Sequence, residues 1–355
     1  MRVLYGVVGE GLGHATRSRV VAERLLEQGH EVKMVASGQA LPYLQQHLPD
    51  VEPIWGTSFV LEQGEVKRWK TFSSNVRGGA TGWPSDWRKG VTIARAYRPD
   101  LMLSDFDAFA YLVARQFRKP VISIGNIDMV TRCAHDAEIL RGVRPDYVTA
   151  RTYVRAKIPR ADHYVIASLF RPRVRLRRTT LTRPILRDEI LNVHPEDGQH
   201  LLVYGRIGDD AIAALEWSEV PCLIYGARSE LTEDVREGNL VYRPFSNEGF
   251  VEDLRRCRGV VASAGHSLMS EAVYLRKPML ALPLAGQFEQ QMNARYLERM
   301  GYGTAAAAVD HESLGRFLER EDVHRRALAG YDQDRNVEAL GTIERVIDEV
   351  LVARA

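Results

Sequence analysis

The sequence predicts an α/β protein with two Rossmann-like sheets in tandem, an expectation that rests on three observations. Short apolar runs alternate with helical patterns from the first residues onward, the pattern that builds parallel sheets. The alternation lapses near residue 180, where arginines crowd the chain, and resumes at residue 200. A length of 355 residues also exceeds what one hydrophobic core usually spans.

The elements follow in order. "RVLYGVV" is a strand, the glycine loop "GEGLGH" turns it into a helix carrying Val21, Ala22, Leu25 and Leu26, and Gly29 closes that helix before the strand "EVKMVAS". "PDLMLSD", a helix from about Asp107 to Phe117, and "KPVISIGN" continue the series; a proline ahead of an apolar run suits a buried parallel strand. Residues 56 to 90 break the rhythm. Trp55, Trp69, Trp83 and Trp87 lie there or at its edge among Gly, Lys and Arg, which reads as a long structureless loop of functional or mobile character. After the strand "DHYVIAS" comes "FRPRVRLRRTTLTRPILRDEI", with seven arginines from Arg171 to Arg187. This is either a solvated connector with a few phosphate or carboxylate contacts or a surface facing anionic lipid headgroups. "HLLVYGRIGDDAIAAL", "PCLIYGA", "GNLVYRPF", "RGVVASAG" and "KPMLALPLAG" then form the second sheet. The domain boundaries read as 1–182 and 183–340. A final helix from about Asn336 to Val352 has no obvious strand partner, and residues 341–355 are assigned to a C-terminal helix packing back on the first domain.

Composition excludes several classes. A net charge of +2, from 48 basic and 46 acidic residues, gives no general case for a nucleic-acid partner. Cys133, Cys222 and Cys257 are too few and scattered for a disulfide framework or a zinc site, and no other metal constellation emerges. No apolar run approaches the ~18 residues that span a bilayer, and no signal peptide is read. The expected location is the cytoplasm.

The opening loop fails two phosphate-binding patterns. A P-loop needs Lys where this chain has His14 and Ala15 after Gly13, and a dinucleotide fingerprint needs a third glycine where His14 stands. The second strand also ends without an acid for a ribose. What remains is a titratable imidazole over a strand's carboxyl end, where open α/β sheets bind ligands. Asp105, ending "LMLSD", can reach it across adjacent strand ends, while Asp107 suits a helix N-cap. The plain alternative for the loop is a tight turn that uses glycine for its backbone alone.

The densest chemistry spans residues 257 to 303. The turn "SAGHS" leaves backbone N–H groups and Ser267 at a helix N-terminus, which attracts phosphate. Glu271, one turn along, suits two ribose hydroxyls. Glu289 and Gln290 suit the hydroxyls of a sugar, and "RPFSN" offers Arg243, Pro244 and Phe245 to a base.

This stretch resembles the donor signature of the inverting glycosyltransferases of the GT-B fold, including UDP-glycosyltransferases and the peptidoglycan N-acetylglucosaminyltransferase. It is closest in wording to a prokaryotic group of glycosyltransferases that begin with a "GEGLGH"-type loop. The resemblance covers nearly the whole chain. It implies an acceptor-binding first domain and a donor-binding second domain facing across a cleft, and inverting, metal-independent transfer from a nucleoside-diphosphate-sugar, with UDP as the expected nucleotide, to an acceptor hydroxyl. No cofactor is implied beyond that co-substrate. Carried over residue by residue, His14 is the general base with Asp105 beside it, Glu271 holds the ribose, and Glu289 and Gln290 hold the donor sugar. Gly265, His266 and Ser267, with Gly11 and Gly13 of the opening loop, approach the diphosphate. The chain departs from better-known members in having Ser263 where many carry a phosphate-contacting histidine, and in offering Phe245 where plant members stack a Trp on uracil. A lipid-linked acceptor and peripheral contact at the inner membrane face are further expectations. The rivals are a nucleotide-sugar hydrolase or epimerase of the same fold, and a non-catalytic nucleotide-sugar-binding protein.

Overall fold

The computed structural model describes every residue except Glu10, 55–60, 63–64, 67–86, Ser229 and Ala355. Trp55, Trp69 and Trp83 therefore lie outside the described residues. The elements run β1 (Arg2–Val7), α1 (Leu12–Glu27), β2 (Glu31–Ala36), α2 (Ala40–His47), β3 (Val51–Pro53), β4 (Leu61–Glu62) and β5 (Glu65–Val66). Next come α3 (87–97), β6 (Leu101–Asp105), α4 (Ala108–Gln116), β7 (Val121–Gly125), α5 (Met129–Arg132), α6 (Arg144–Lys157), β8 (His163–Ala167) and β9 (Thr179–Thr182). The second half holds α7 (Asp188–Leu191), β10 (Leu201–Tyr204), α8 (Asp209–Trp217), β11 (Cys222–Tyr225), β12 (Val235–Glu237), β13 (Leu240–Arg243), α9 (Asn247–Arg256), β14 (Gly259–Ser263), α10 (His266–Tyr274), β15 (Met279–Leu282), α11 (Phe288–Arg299) and β16 (Gly303–Ala305). The chain closes with α12 (His311–Glu319), α13 (Glu321–Ala329) and α14 (Val337–Val352).

Two compact units result. One comprises Met1–Asp136, Arg144–Arg187 and Asp334–Ala355; the other comprises Ala137–Val143 and Asp188–Gln333. Residues 183–187 and 334–340 thus belong with the first unit, and a short excursion at 137–143 with the second, which differs from single cuts after 182 and 340. Proximity in space, not order along the chain, sets these limits.

The first unit is built on a seven-stranded sheet of order β3-β2-β1-β6-β7-β8-β9, parallel at every pairing. Central strands of such a sheet are covered on both faces and so read as continuous apolar runs. In β1, Val3, Tyr5 and Val7 pack into one buried cluster with α1, α2 and α14, while Leu4 packs into another on the opposite face with α4 and α6. The helix α14 lays Ala339, Ile343, Val346, Ile347 and Val350 onto the first cluster, a spacing that makes one helical stripe. Its partners are β8 and β9.

The 56–90 stretch is not structureless throughout. β4 and β5 pair within it, and Trp87 opens α3 and packs, partly buried, against the α4 side of the core. The arginine run is likewise divided. Arg171 and Arg183 pair with Glu338, Arg187 is buried, and Thr179–Thr182 is the edge strand β9. Arg171 is exposed although paired, and the middle of the run, Arg173, Arg175, Arg177 and Arg178, is exposed as well, together with Val174 at 36% and Leu176 at 44%.

The second unit repeats the plan with order β12-β13-β11-β10-β14-β15-β16. Its pairings are parallel except β12 with β13.

In each sheet the strand order reverses beside the first strand of the unit. β1 lies between β2 and β6, and β10 lies between β11 and β14. Loops at the carboxyl ends of strands flanking such a reversal are splayed apart, and open α/β sheets bind ligands there.

Candidate active site

At the first unit's reversal, Val7 ends β1 in register with Asp105, which ends β6. Gly11 caps α1 with φ of +84°, a left-handed backbone that suits glycine. It lets the chain turn from strand to helix at once. Gly13 falls in the first turn of α1, and His14 follows as its third residue. His14 is 18% exposed, and its Nδ1 lies 2.8 Å from Oδ1 of fully buried Asp105.

Asp105 is densely held. Arg17 Nε donates to Oδ2 at 2.6 Å and Nη2 to Oδ1 at 2.5 Å, and the Ser18 hydroxyl donates to Oδ2 at 3.0 Å. Burial alone would raise the carboxyl's pKa, but the charges of Arg17 and His14 and their hydrogen bonds outweigh it and hold it down to about 2. Asp105 is therefore an anion across the neutral range. Asp107 has another role: it caps α4 by accepting from the Ala110 N–H at 2.8 Å, and burial pushes its carboxyl up to about 6. Asp128, buried after β7, accepts from the Ser123 hydroxyl at 2.6 Å and is also pushed up to about 6 by burial.

Arg17 is the member of this cluster that sequence reasoning missed. Its signal was its spacing: three residues after His14, with Ser18 at four, it shares a helix face with the imidazole.

In the second unit, the reversal brings forward the turn after β14. Gly265 is the N-cap of α10 and supplies no side-chain cap, and the amino end of a helix is where backbone donors and the dipole favour an anion. Asn293 of α11, fully buried, donates to the Ala264 carbonyl at 3.0 Å and fixes the turn from behind. His266 is buried, with the Ser270 hydroxyl donating to its carbonyl at 2.7 Å; Ser267 is partly buried. Glu271 is buried on the same helix.

The remaining expected residues split by environment. Gln290 is buried and its side-chain carbonyl accepts from the Leu284 N–H at 3.0 Å, which ties the loop after β15; Glu289 beside it is half-buried in the first turn of α11. Arg243 ends β13 with its guanidinium on Asp253 at 2.7 Å, so its charge is engaged within the fold. Pro244 is half-buried and Phe245 is 57% exposed, leaving that ring as the available flat surface of "RPFSN". The structure brings His14 and Asp105 together in the first unit. It places Gly265, His266 and Ser267 at the amino end of α10 in the second, with Glu271 further along the same helix. Among the described residues no three His, Cys, Asp or Glu side chains group as metal ligands do.

Two seven-stranded, parallel-dominated α/β sheets, each with a loop-and-helix site at its strand reversal, define the GT-B class of two-domain enzymes. The chain belongs to glycosyl transferase family 1, whose sequence model matches residues 1–321, and is a glycosyltransferase. It is 25% identical over 339 residues, 85% of each chain, to an uncharacterized glycosyltransferase of Methanosarcina acetivorans, and 22% identical over 337 residues, again 85% of each chain, to one of Methanosarcina mazei. Among solved structures, the spinosyn rhamnosyltransferase SpnG complexed with thymidine diphosphate superposes with a TM-score of 0.64 at 17% identity, covering 98% of this chain and 100% of that one. Phytolacca americana UGT2 complexed with UDP-2fluoro-glucose and pterostilbene gives 0.68 at 13%, covering 99% and 98%. At such identities these likenesses concern the fold.

Proposed function

We propose that this glycosyltransferase moves a sugar from a nucleoside-diphosphate donor, a UDP-sugar in our reading, to an acceptor hydroxyl with inversion and without a metal ion. The observation that carries the reading is His14 hydrogen-bonded through Nδ1 to the ionised, buried Asp105. That bond fixes the tautomer and leaves Nε2 as the ring nitrogen that accepts a proton. In a single displacement the acceptor oxygen bonds to the anomeric carbon as its proton passes to Nε2, and the bond from that carbon to the diphosphate oxygen breaks. The charge that develops on the diphosphate is met by the amino end of α10, at Gly265, His266 and Ser267, with Gly11 and Gly13 as further backbone contacts. Glu271 takes the ribose, Glu289 and Gln290 the sugar, and Phe245 with the backbone of Arg243 and Pro244 the base.

Two structurally similar proteins hold thymidine diphosphate or a UDP-sugar, which supports a nucleoside-diphosphate donor and leaves the base to be measured. A screen of UDP, TDP and GDP for thermal stabilisation, followed by release of free nucleotide from the matching sugar donors, tests the reading. Release that needs an acceptor supports transfer; equal release with water alone makes the protein a hydrolase; binding with no release across acceptors removes the proposed chemistry.

The exposed run Arg173–Arg178, with Val174 and Leu176 between its arginines, supports a second element of the reading. It suits peripheral contact with an anionic membrane carrying a lipid-linked acceptor. Among the described residues no helix is long and apolar enough to cross a membrane.

A further inference from the structure

We propose that Arg17 is a positioning residue for the transfer reaction: its guanidinium grips both oxygens of Asp105 and so holds His14 in the orientation of a base. The inference rests on His14 being that base.

A carboxylate has two oxygens with about four acceptor positions. At Asp105, Oδ1 receives His14 Nδ1 and Arg17 Nη2, while Oδ2 receives Arg17 Nε and Ser18 Oγ. All four positions are taken, two of them by one planar guanidinium that grips both oxygens, the geometry in which arginine outperforms lysine. Arg17 is itself buried, so this ion pair is not diluted by water.

A second contact gives the arrangement its chemistry. Arg17 Nη2 lies 2.6 Å from His14 Nδ1. A guanidinium only donates, so Nδ1 cannot both donate to Asp105 and accept from Arg17. With Asp105 ionised, the proton on Nδ1 belongs to the bond with Oδ1, and the guanidinium then stands as a positive charge against the ring. In general a neighbouring carboxylate favours a protonated imidazole and a neighbouring cation disfavours it; Arg17 sets its charge against the ring while its fork keeps the carboxylate in place.

Other elements enclose the pair. A Cβ at Gly125, the last residue of β7, would lie 3.2 Å from Asp105 Oδ1 and 3.3 Å from Arg17 Nη2, so the backbone of β7 closes one side. The ionisable groups that Arg17 touches or influences include His14 on its own helix, Asp105 on β6, Asp128 after β7 and the Tyr5 phenol on β1. Asp105 is the one bound in both directions of the fork.

The test compares Arg17→Gln, Arg17→Lys and His14→Ala through pH–rate profiles, melting temperatures and the dissociation constant for the nucleoside diphosphate. Arg17→Gln is expected to lower kcat/KM by roughly 10- to 100-fold. Its acidic limb should move to higher pH, because loss of a neighbouring cation favours the protonated ring, while nucleotide affinity stays unchanged. Arg17→Lys keeps the charge and loses the fork: the limb should return to the wild-type position with kcat still reduced. An unmoved limb in a folded Arg17→Gln overturns the proposal. Should that variant not fold, a wild-type kcat and profile in Arg17→Lys overturns it instead. Full activity in His14→Ala removes the base reading, and the two failures are thereby distinct.

Discussion

His14 and Asp105 are 91 residues apart in sequence, yet 2.8 Å separates their side chains. The reason is the pairing of β1 with β6 in register at Val7 and Asp105, which turns two distant strand ends into one site. That relationship yields the first prediction. His14→Ala should lower single-turnover transfer by roughly 10² to 10⁴, the usual worth of a positioned base, with equilibrium donor binding little changed. Loss of binding with unchanged chemistry would make the opening loop a phosphate cradle.

Glu271→Ala should weaken nucleoside diphosphate binding without lowering the ligand-free melting temperature appreciably. A ligand at a hundred times its dissociation constant stabilises the native state by ~2.7 kcal/mol, so calorimetry resolves the difference. A mutant that binds like the wild type refutes the ribose assignment.

Replacing Arg173, Arg175, Arg177 and Arg178 together by serine should abolish co-sedimentation with anionic vesicles at low salt. Wild-type binding should itself fall as salt rises, since a surface potential is screened within a Debye length. Wild-type protein that remains in the supernatant at low salt removes the membrane contact.

Asp128 gives a stability prediction with a definite sign. Burial raises its folded-state value to about 6, above the unfolded one, so the folded protein holds this proton more tightly. Its contribution improves as pH falls from about 6 toward 4, and above about 6 the buried anion is a burden. Asp128→Asn, which can still accept from Ser123, should therefore stabilise the protein at pH 8 by on the order of 1 to 3 kcal/mol, read as a higher melting temperature, and have much less effect near pH 4. An equal effect at both values would show that the carboxyl is not strained by charge.

The central strands were legible because burial on both faces writes an unbroken apolar run, as in "LMLSD" and "VVAS". The edge strands were not: "VEP", "TTLT", "VRE" and "GTA" are short and at least partly exposed, and nothing local marks them as paired. His14 was legible because the glycine loop isolates it at a strand end. Arg17 was not, since a cation on a helix reads by default as solvated, and its partner Asp105 comes from 88 residues away. Arg243 was legible as the end of a strand beside a flat ring, but its engagement with Asp253 depends on where α9 packs. The stripe on α14 was visible in part, whereas the sheet it covers is settled only by tertiary structure.

The placement of α14 also bears on manufacture. As a ribosome releases the chain, residues 1–136 appear first, yet part of their hydrophobic core is supplied by Ala339 through Val350. Residues 188–333 emerge in between and carry nearly all of their own unit. The unit begun first is thus finished last, and a nascent chain stalled before residue 334 would leave the sheet bearing His14 with one greasy face still uncovered. Chimeras between relatives follow the same logic: the final helix must travel with the amino-terminal half, not with its neighbour in sequence.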